Sequence, residues 1–112
     1  MKIIVRLSCQ MKEDGMKERE LEEKLVDAVK KMGGICPKWV SPGMNGMPDR
    51  IVILPSRIGF VEVKAPGKKP RVLQKRLHAR LRHLGCLVYV LDDPEDIPAV
   101  LEAVREGKPW QK

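Results

Sequence analysis

The chain is expected to fold as an α/β domain, a mixed β-sheet flanked by helices in the order α-β-β-β-α-β-α. Three observations point there. Apolar residues recur at helical spacing in three separate segments. Two β-rich runs, Arg50 to Leu54 and Ile58 to Lys64, are separated only by Pro55, Ser56 and Arg57, a spacing that predicts an antiparallel hairpin. A continuous apolar run, Cys86 to Leu91, then returns after a helix, so it should join the sheet through a right-handed crossover and make the sheet mixed.

The elements follow in order. From Lys17 to Met32, residues Leu21, Leu25, Ala28, Val29 and Met32 mark one helical face, and Gly33 and Gly34 stop the helix. Ile35 to Ser41 reads as a short strand around Trp39, followed by a turn through Pro42, Gly43, Asn45 and Gly46. After the hairpin, a basic loop from Pro66 to Pro70 leads into a helix over Val72 to Leu84, ended by Gly85. Its leucines Leu73, Leu77 and Leu81 are expected in the core. Cys86 to Leu91 has the composition of a strand buried on both faces, and Pro94 to Glu106 forms the last helix.

A length of 112 residues suits one domain, with little room for a separate regulatory module. Residues 1–15 are expected to be an extension, since Met16 opens a start of its own, and residues 16–112 the domain. Hydrophobic residues at 43% and charged residues at 33% give a globular balance. The net charge of +7 and pI near 9.5 suit a polyanionic partner, with nucleic acid favoured over an anionic membrane. No apolar run reaches the roughly 18 to 20 residues that span a bilayer, and no signal peptide opens the chain, so a cytoplasmic location is expected. Cys9, Cys36 and Cys86 are odd in number and widely spaced, which suits reduced thiols.

Chemistry concentrates between Gly46 and Lys64. In a strand, Glu62 and Lys64 share one face while Val61 and Val63 take the other. Asp49 starts the preceding strand, and hairpin pairing can set it beside Glu62. Two carboxylates next to one ammonium suit Mg²⁺ or Mn²⁺ with open positions for water and phosphate oxygens. Phosphodiester hydrolysis needs a positioned water and stabilisation of charge on the phosphorus oxygens. A neighbouring lysine can orient or help deprotonate that water, or stabilise the charge directly. The alternative is an exposed Glu62–Lys64 pair with Asp49 merely closing a turn.

Taken together, these residues resemble the VRR-NUC (virus-type replication-repair nuclease) domain of the PD-(D/E)xK superfamily. The resemblance runs from Glu22 through Asp93. It rests on the helix Arg19-Glu20-Leu21-Glu22-Glu23-Lys24-Leu25, the turn Gly46-Met47-Pro48-Asp49-Arg50, the strand and loop Phe60-Val61-Glu62-Val63-Lys64-Ala65-Pro66-Gly67, and Leu73-Gln74 opening the later helix. It implies a restriction-endonuclease-like core and metal-dependent cleavage of DNA. For stand-alone small members, of phage or bacterial type, it implies a homodimer cutting branched DNA such as Holliday junctions. The implied metal ligands are Asp49, Glu62 and the backbone carbonyl of Val63, with Lys64 and Gln74 also in the active site.

The resemblance also implies a glutamate on the first helix, where Glu18, Glu20, Glu22 and Glu23 compete. Glu22 lies within the apolar arc, as does Glu18 near the start, whereas Glu20 and Glu23 project outside it. A carboxylate on an apolar face needs compensation, and a metal site is one form of it, which favours Glu22. His78 lies one turn from Gln74, but a lone helical histidine is more often packed than ligating. Lys68, Lys69, Arg71, Lys75 and Arg76 follow the motif and can grip phosphates beside the cut. Aromatic residues are few, so backbone shape should matter more than base stacking. A non-specific or restriction-like nuclease and a non-catalytic basic DNA-binding module are the competing readings.

Overall fold

The computed structural model describes residues 17–110, so the expectation for residues 1–15 lies outside the described residues. Helix α1 (Glu18–Lys31) is followed by β1 (Arg50–Leu54), β2 (Arg57–Val63), α2 (Val72–His83), β3 (Val88–Leu91) and α3 (Ile97–Glu106). One turn of 3₁₀ helix, Pro94–Asp96, leads into α3. The sheet has the order β1-β2-β3. β1 and β2 pair antiparallel from Arg50↔Val61 to Leu54↔Arg57, and β2 and β3 pair parallel from Phe60↔Val88 to Val63↔Leu91. The expected hairpin and the expected mixed sheet are both present. Pro55 and Ser56 alone make the hairpin turn, so Arg57, expected in the turn, already belongs to β2, and Ser56 takes φ 70°, the positive value that a type II turn requires at its third position.

The strand expected over residues 35–41 is reduced to two isolated bridges, Ile35↔Ile53 and Lys38↔Arg50. Ile35 and Ile53 exchange both backbone bonds, and Pro37 accepts from the Ile51 N–H. Proline has no N–H to return, so the ladder breaks in its middle. Gly34 sits where α1 hands the chain to this edge. A Cβ there would lie 2.2 Å from the Ile53 carbonyl oxygen. Gly34→Ala is therefore expected to lower stability by roughly 2–3 kcal/mol. Gly43→Ala, with open space around its Cα, should change it by less than about 0.5 kcal/mol. Urea unfolding midpoints check both.

The core lies on one side of the sheet. Leu21, Leu25 and Val29 of α1 and Val100, Leu101 and Val104 of α3 pack with Val52, Leu54, Val61, Val63, Tyr89 and Leu91. Because side chains alternate, Glu62 points to the other side, where α2 lies along β3. There the leucine expectation is corrected. Leu73 is 54% exposed, Leu77 and Leu81 are half-buried, Leu84 is 70% exposed, and the buried residue of α2 is His78. Two polar anchors set the rotation of the helix: Gln74 Nε2 donates to Glu62 Oε2 at 3.1 Å, and Arg82 Nε donates to the Val88 carbonyl at 3.0 Å. Gln74, His78 and Arg82 succeed one another every four residues on one face, so the leucine stripe turns to the margin.

Candidate active site

The hairpin register determines the centre of the site. With Arg50 opposite Val61, Asp49 falls beside Glu62, and its Oδ1 accepts from the Val63 N–H at 3.0 Å. The backbone of Asp49 is held as well, its carbonyl accepting from the Trp39 N–H at 2.8 Å. Glu62 is only 4% exposed. Its Oε2 lies 3.3 Å from Lys64 Nζ and accepts from Gln74, while its buried Oε1 has no hydrogen-bond partner among the described residues. Gln74 is fixed from both ends, because its Oε1 accepts from the backbone N–H of Arg71 at 2.9 Å. That bond caps the start of α2, so one side chain ties the helix terminus to the glutamate.

Burial, above all, pushes the Asp49 carboxyl up to about 7, and the nearby carboxylates of Glu62, Glu22 and Glu18 add to the effect against the Val63 hydrogen bond. Burial likewise raises Glu62, opposed mainly by Lys64. Both acids thus sit where further negative charge is resisted. The Cys36 thiol, buried behind Arg50, is pushed up to about 11 by desolvation, so it stays a protonated thiol.

Helix α1 contributes two carboxylates, one turn apart. Glu22 is 6% exposed, as its place on the apolar arc predicts, but its compensation is a guanidinium: Glu22 Oε1 lies 2.8 Å from Arg50 Nε. Arg50 also donates to the Cys36 carbonyl at 3.0 Å. Glu18 is exposed, and carboxylate oxygens of Glu18, Glu22 and Asp49 come within 4.8 Å of one another. Glu18 acts electrostatically on both Asp49 and Glu62. Glu18, which the helical arc includes but which the sequence ranks below Glu22, stands four positions earlier on the same face, so the two carboxylates come together. Glu20 and Glu23 stand outside this group.

His78 is 1% exposed, and burial, with Arg82 and Lys64 nearby, lowers its pKa to about 4, so its imidazole is neutral at pH 7. Lys68, Lys69, Arg71, Lys75 and Arg76 are all exposed on the loop and first turns that follow the Glu62–Lys64 strand. Among the described residues no helix is long and apolar enough to cross a membrane.

No protein-family model matches the chain. A protein of Acyrthosiphon pisum secondary endosymbiont phage 1, described as "Putative nuclease p44", is 52% identical over 90 residues, which are 80% of this chain and 96% of the relative. A solved structure described as a VRR_NUC domain superposes with a TM-score of 0.71 at 32% identity, covering 78% of this chain and 96% of the other. The chain belongs to the VRR-NUC nuclease family. The α/β fold of that family accounts for the arrangement above, with the hairpin carrying two acids and a lysine, and α1 and α2 closing on them from either side.

Proposed function

We propose that this VRR-NUC protein is a metal-dependent endonuclease that hydrolyses DNA phosphodiester bonds, preferring branched DNA such as four-way junctions, inside a bacterial cell. The observation that carries the reading is Glu62 itself. One of its oxygens is held by Lys64 and Gln74, the other is buried without a partner among the described residues, and Asp49 stands beside it. A buried carboxylate oxygen left over in this way fits a cation ligand, and the raised acids fit a centre that a divalent cation would relieve.

Asp49, Glu62 and the Val63 carbonyl would hold Mg²⁺ or Mn²⁺, hard ions suited to oxygen donors, with Glu18 close enough to contribute. Such an ion supplies Lewis acidity and a more acidic water. The remaining work falls to the chain. Lys64, tethered to Glu62, would orient the attacking water or stabilise charge on the phosphorus oxygens. Gln74 locks the Glu62 rotamer, which sharpens the geometry of the donors. Lys68, Lys69, Arg71, Lys75 and Arg76 hold flanking phosphates.

Paired cuts across a two-fold junction need two protomers, so the acting form is a homodimer. Exposed Val40, Met44, Val72 and Leu73 supply apolar surface for it, and the loop bearing Met44 packs on the start of α2 at Gly46. A cleavage panel tests the proposal: single-stranded, duplex, flap and four-way junction DNA with Mg²⁺, Mn²⁺ or EDTA. Cutting of the junction at least tenfold faster than matched linear duplex, lost in EDTA, is the expected result. Equal rates on all substrates would leave a non-specific nuclease.

The two helix glutamates should separate by their side effects. Glu18→Gln and Glu22→Gln are both expected to slow cleavage by about 10- to 100-fold, and Glu20→Gln and Glu23→Gln to leave it near wild type. Only Glu22→Gln should also lower the melting temperature by several degrees, because it strips the charge that Arg50 is buried against. Single-turnover rates and thermal melts of the four variants give the answer, and full activity in Glu18→Gln would remove it from the site.

A further inference from the structure

A cavity lies beside the proposed catalytic acids, on the side of the sheet that Glu62 faces. It has a volume of about 380 Å³ and is walled by Lys69, Lys75, His78, Arg82, Val90 and Trp110. One wall of it is α2, through Lys75, His78 and Arg82. Gln74 bonds Glu62, His78 follows one turn later, and Arg82 one turn after that, so the helix face that closes the catalytic centre continues into the cavity. The opposite wall is the end of β3, which pairs with the Glu62 strand.

We propose that this cavity is a nucleotide subsite that takes one phosphate of the bound DNA strand on Lys69, Lys75 and Arg82 and one unpaired base against Trp110. The inference rests on the nuclease reading above and extends it to how a branch is recognised. Four observations support it. Lys69, Lys75 and Arg82 set three cationic groups against one carboxylate, Asp92, which lies 4.0 Å from Lys69, so the lining is net positive. Val90, Pro70 and the half-buried Trp110 add an apolar surface beside the cations, the pairing of features that a nucleotide unit presents. The volume falls within the range of small-molecule sites. Finally, His78 is buried at this wall with Nε2 lacking a hydrogen-bond partner among the described residues, a polar group left unsatisfied beside the cavity.

The subsite gives a physical reason for preferring branched DNA. A base can enter it only by leaving its stack, which costs a duplex several kcal/mol but costs least where the base is already unpaired. Unpaired nucleotides of flaps and single strands meet that condition fully, and the base pairs at the centre of a four-way junction, which stay paired but give up stacking on one face when it opens, come closer to it than those within a continuous duplex.

The test uses fluorescence. The chain has two tryptophans, Trp39 and Trp110, so Trp39→Phe leaves Trp110 as the reporter. This protein is titrated in EDTA with a thymidine tetranucleotide carrying either a 5′-phosphate or a 5′-hydroxyl. Saturable quenching is expected, weakened about tenfold by Lys69→Ala with Lys75→Ala and unchanged by Arg105→Ala on α3. Tighter binding of the 5′-phosphorylated strand would assign the site to a strand end, and equal binding to an internal phosphodiester. Absence of quenching, or equal affinity in the lysine double variant, overturns the subsite. Junction cleavage by the same protein in Mg²⁺ reports on the nuclease reading separately: cutting without any Trp110 response would refute the subsite alone.

Discussion

Asp49→Asn and Glu62→Gln are each expected to lower junction cleavage at saturating Mg²⁺ by about a thousandfold or more, with the fold retained. Each substitution keeps the size of the side chain and removes the anionic oxygen. In Asp49→Asn the remaining side-chain carbonyl can still accept from the Val63 N–H, so the strand end keeps its tie. In Glu62→Gln the unpartnered Oε1 position loses its charge, and with it the means of holding a divalent cation. DNA affinity should change far less, because the exposed lysines and arginines that follow β2 remain. Single-turnover cleavage, circular dichroism and junction binding in EDTA measure the three quantities. Cleavage within tenfold of wild type in either folded variant would place the chemistry elsewhere.

How far the site was legible in the sequence depended on the range of the interactions that build it. The approach of Asp49 to Glu62 is legible because a short hairpin and side-chain alternation are local rules, but its register is not: the spacing gives Pro55, Ser56 and Arg57 to the turn, whereas Arg57 already pairs with Leu54 and leaves a turn of two residues. The burial of Glu22 followed equally from helical phase. What satisfies it did not, because Arg50 lies 28 residues away and reaches it only once β1 is docked on α1. The rotation of α2 was missed for a related reason. The leucines of that helix have the stronger periodic pattern, yet two polar contacts to the sheet outweigh them and leave Leu73 in solvent. Pro37 shows the reverse case, a residue whose effect on strand pairing is local and was underweighted.

The same Asp49→Asn change is expected to stabilise the protein when no divalent metal is present, and to do so only toward higher pH. Asp49 has its carboxyl raised from 3.8 to about 7 in the folded protein. Between those values the folded chain keeps a proton that the unfolded chain releases, so stability falls as pH rises from about 4 to about 7 and then levels off. Burial raises Glu62 as well, and it steepens the fall in the same direction. A shift of this size corresponds to at most ~4 kcal/mol at ~1.4 kcal/mol per unit, and because Asp49 is only part-buried about 2 kcal/mol is the expected gain for Asp49→Asn at pH 8 in EDTA. At pH 4 the two proteins should be nearly equal, since the folded side chain is neutral in both and the unfolded Asp49 has only begun to release its proton. Mg²⁺ should then reverse the order at pH 8: a hundredfold excess over its dissociation constant adds about 2.7 kcal/mol to wild type, and the variant gains little. Urea unfolding at pH 4 and 8, with EDTA or Mg²⁺, resolves these differences. Parallel pH profiles for wild type and variant in EDTA would show that Asp49 is not held above its ordinary range, and the case for a centre strained in favour of a cation would fall with it.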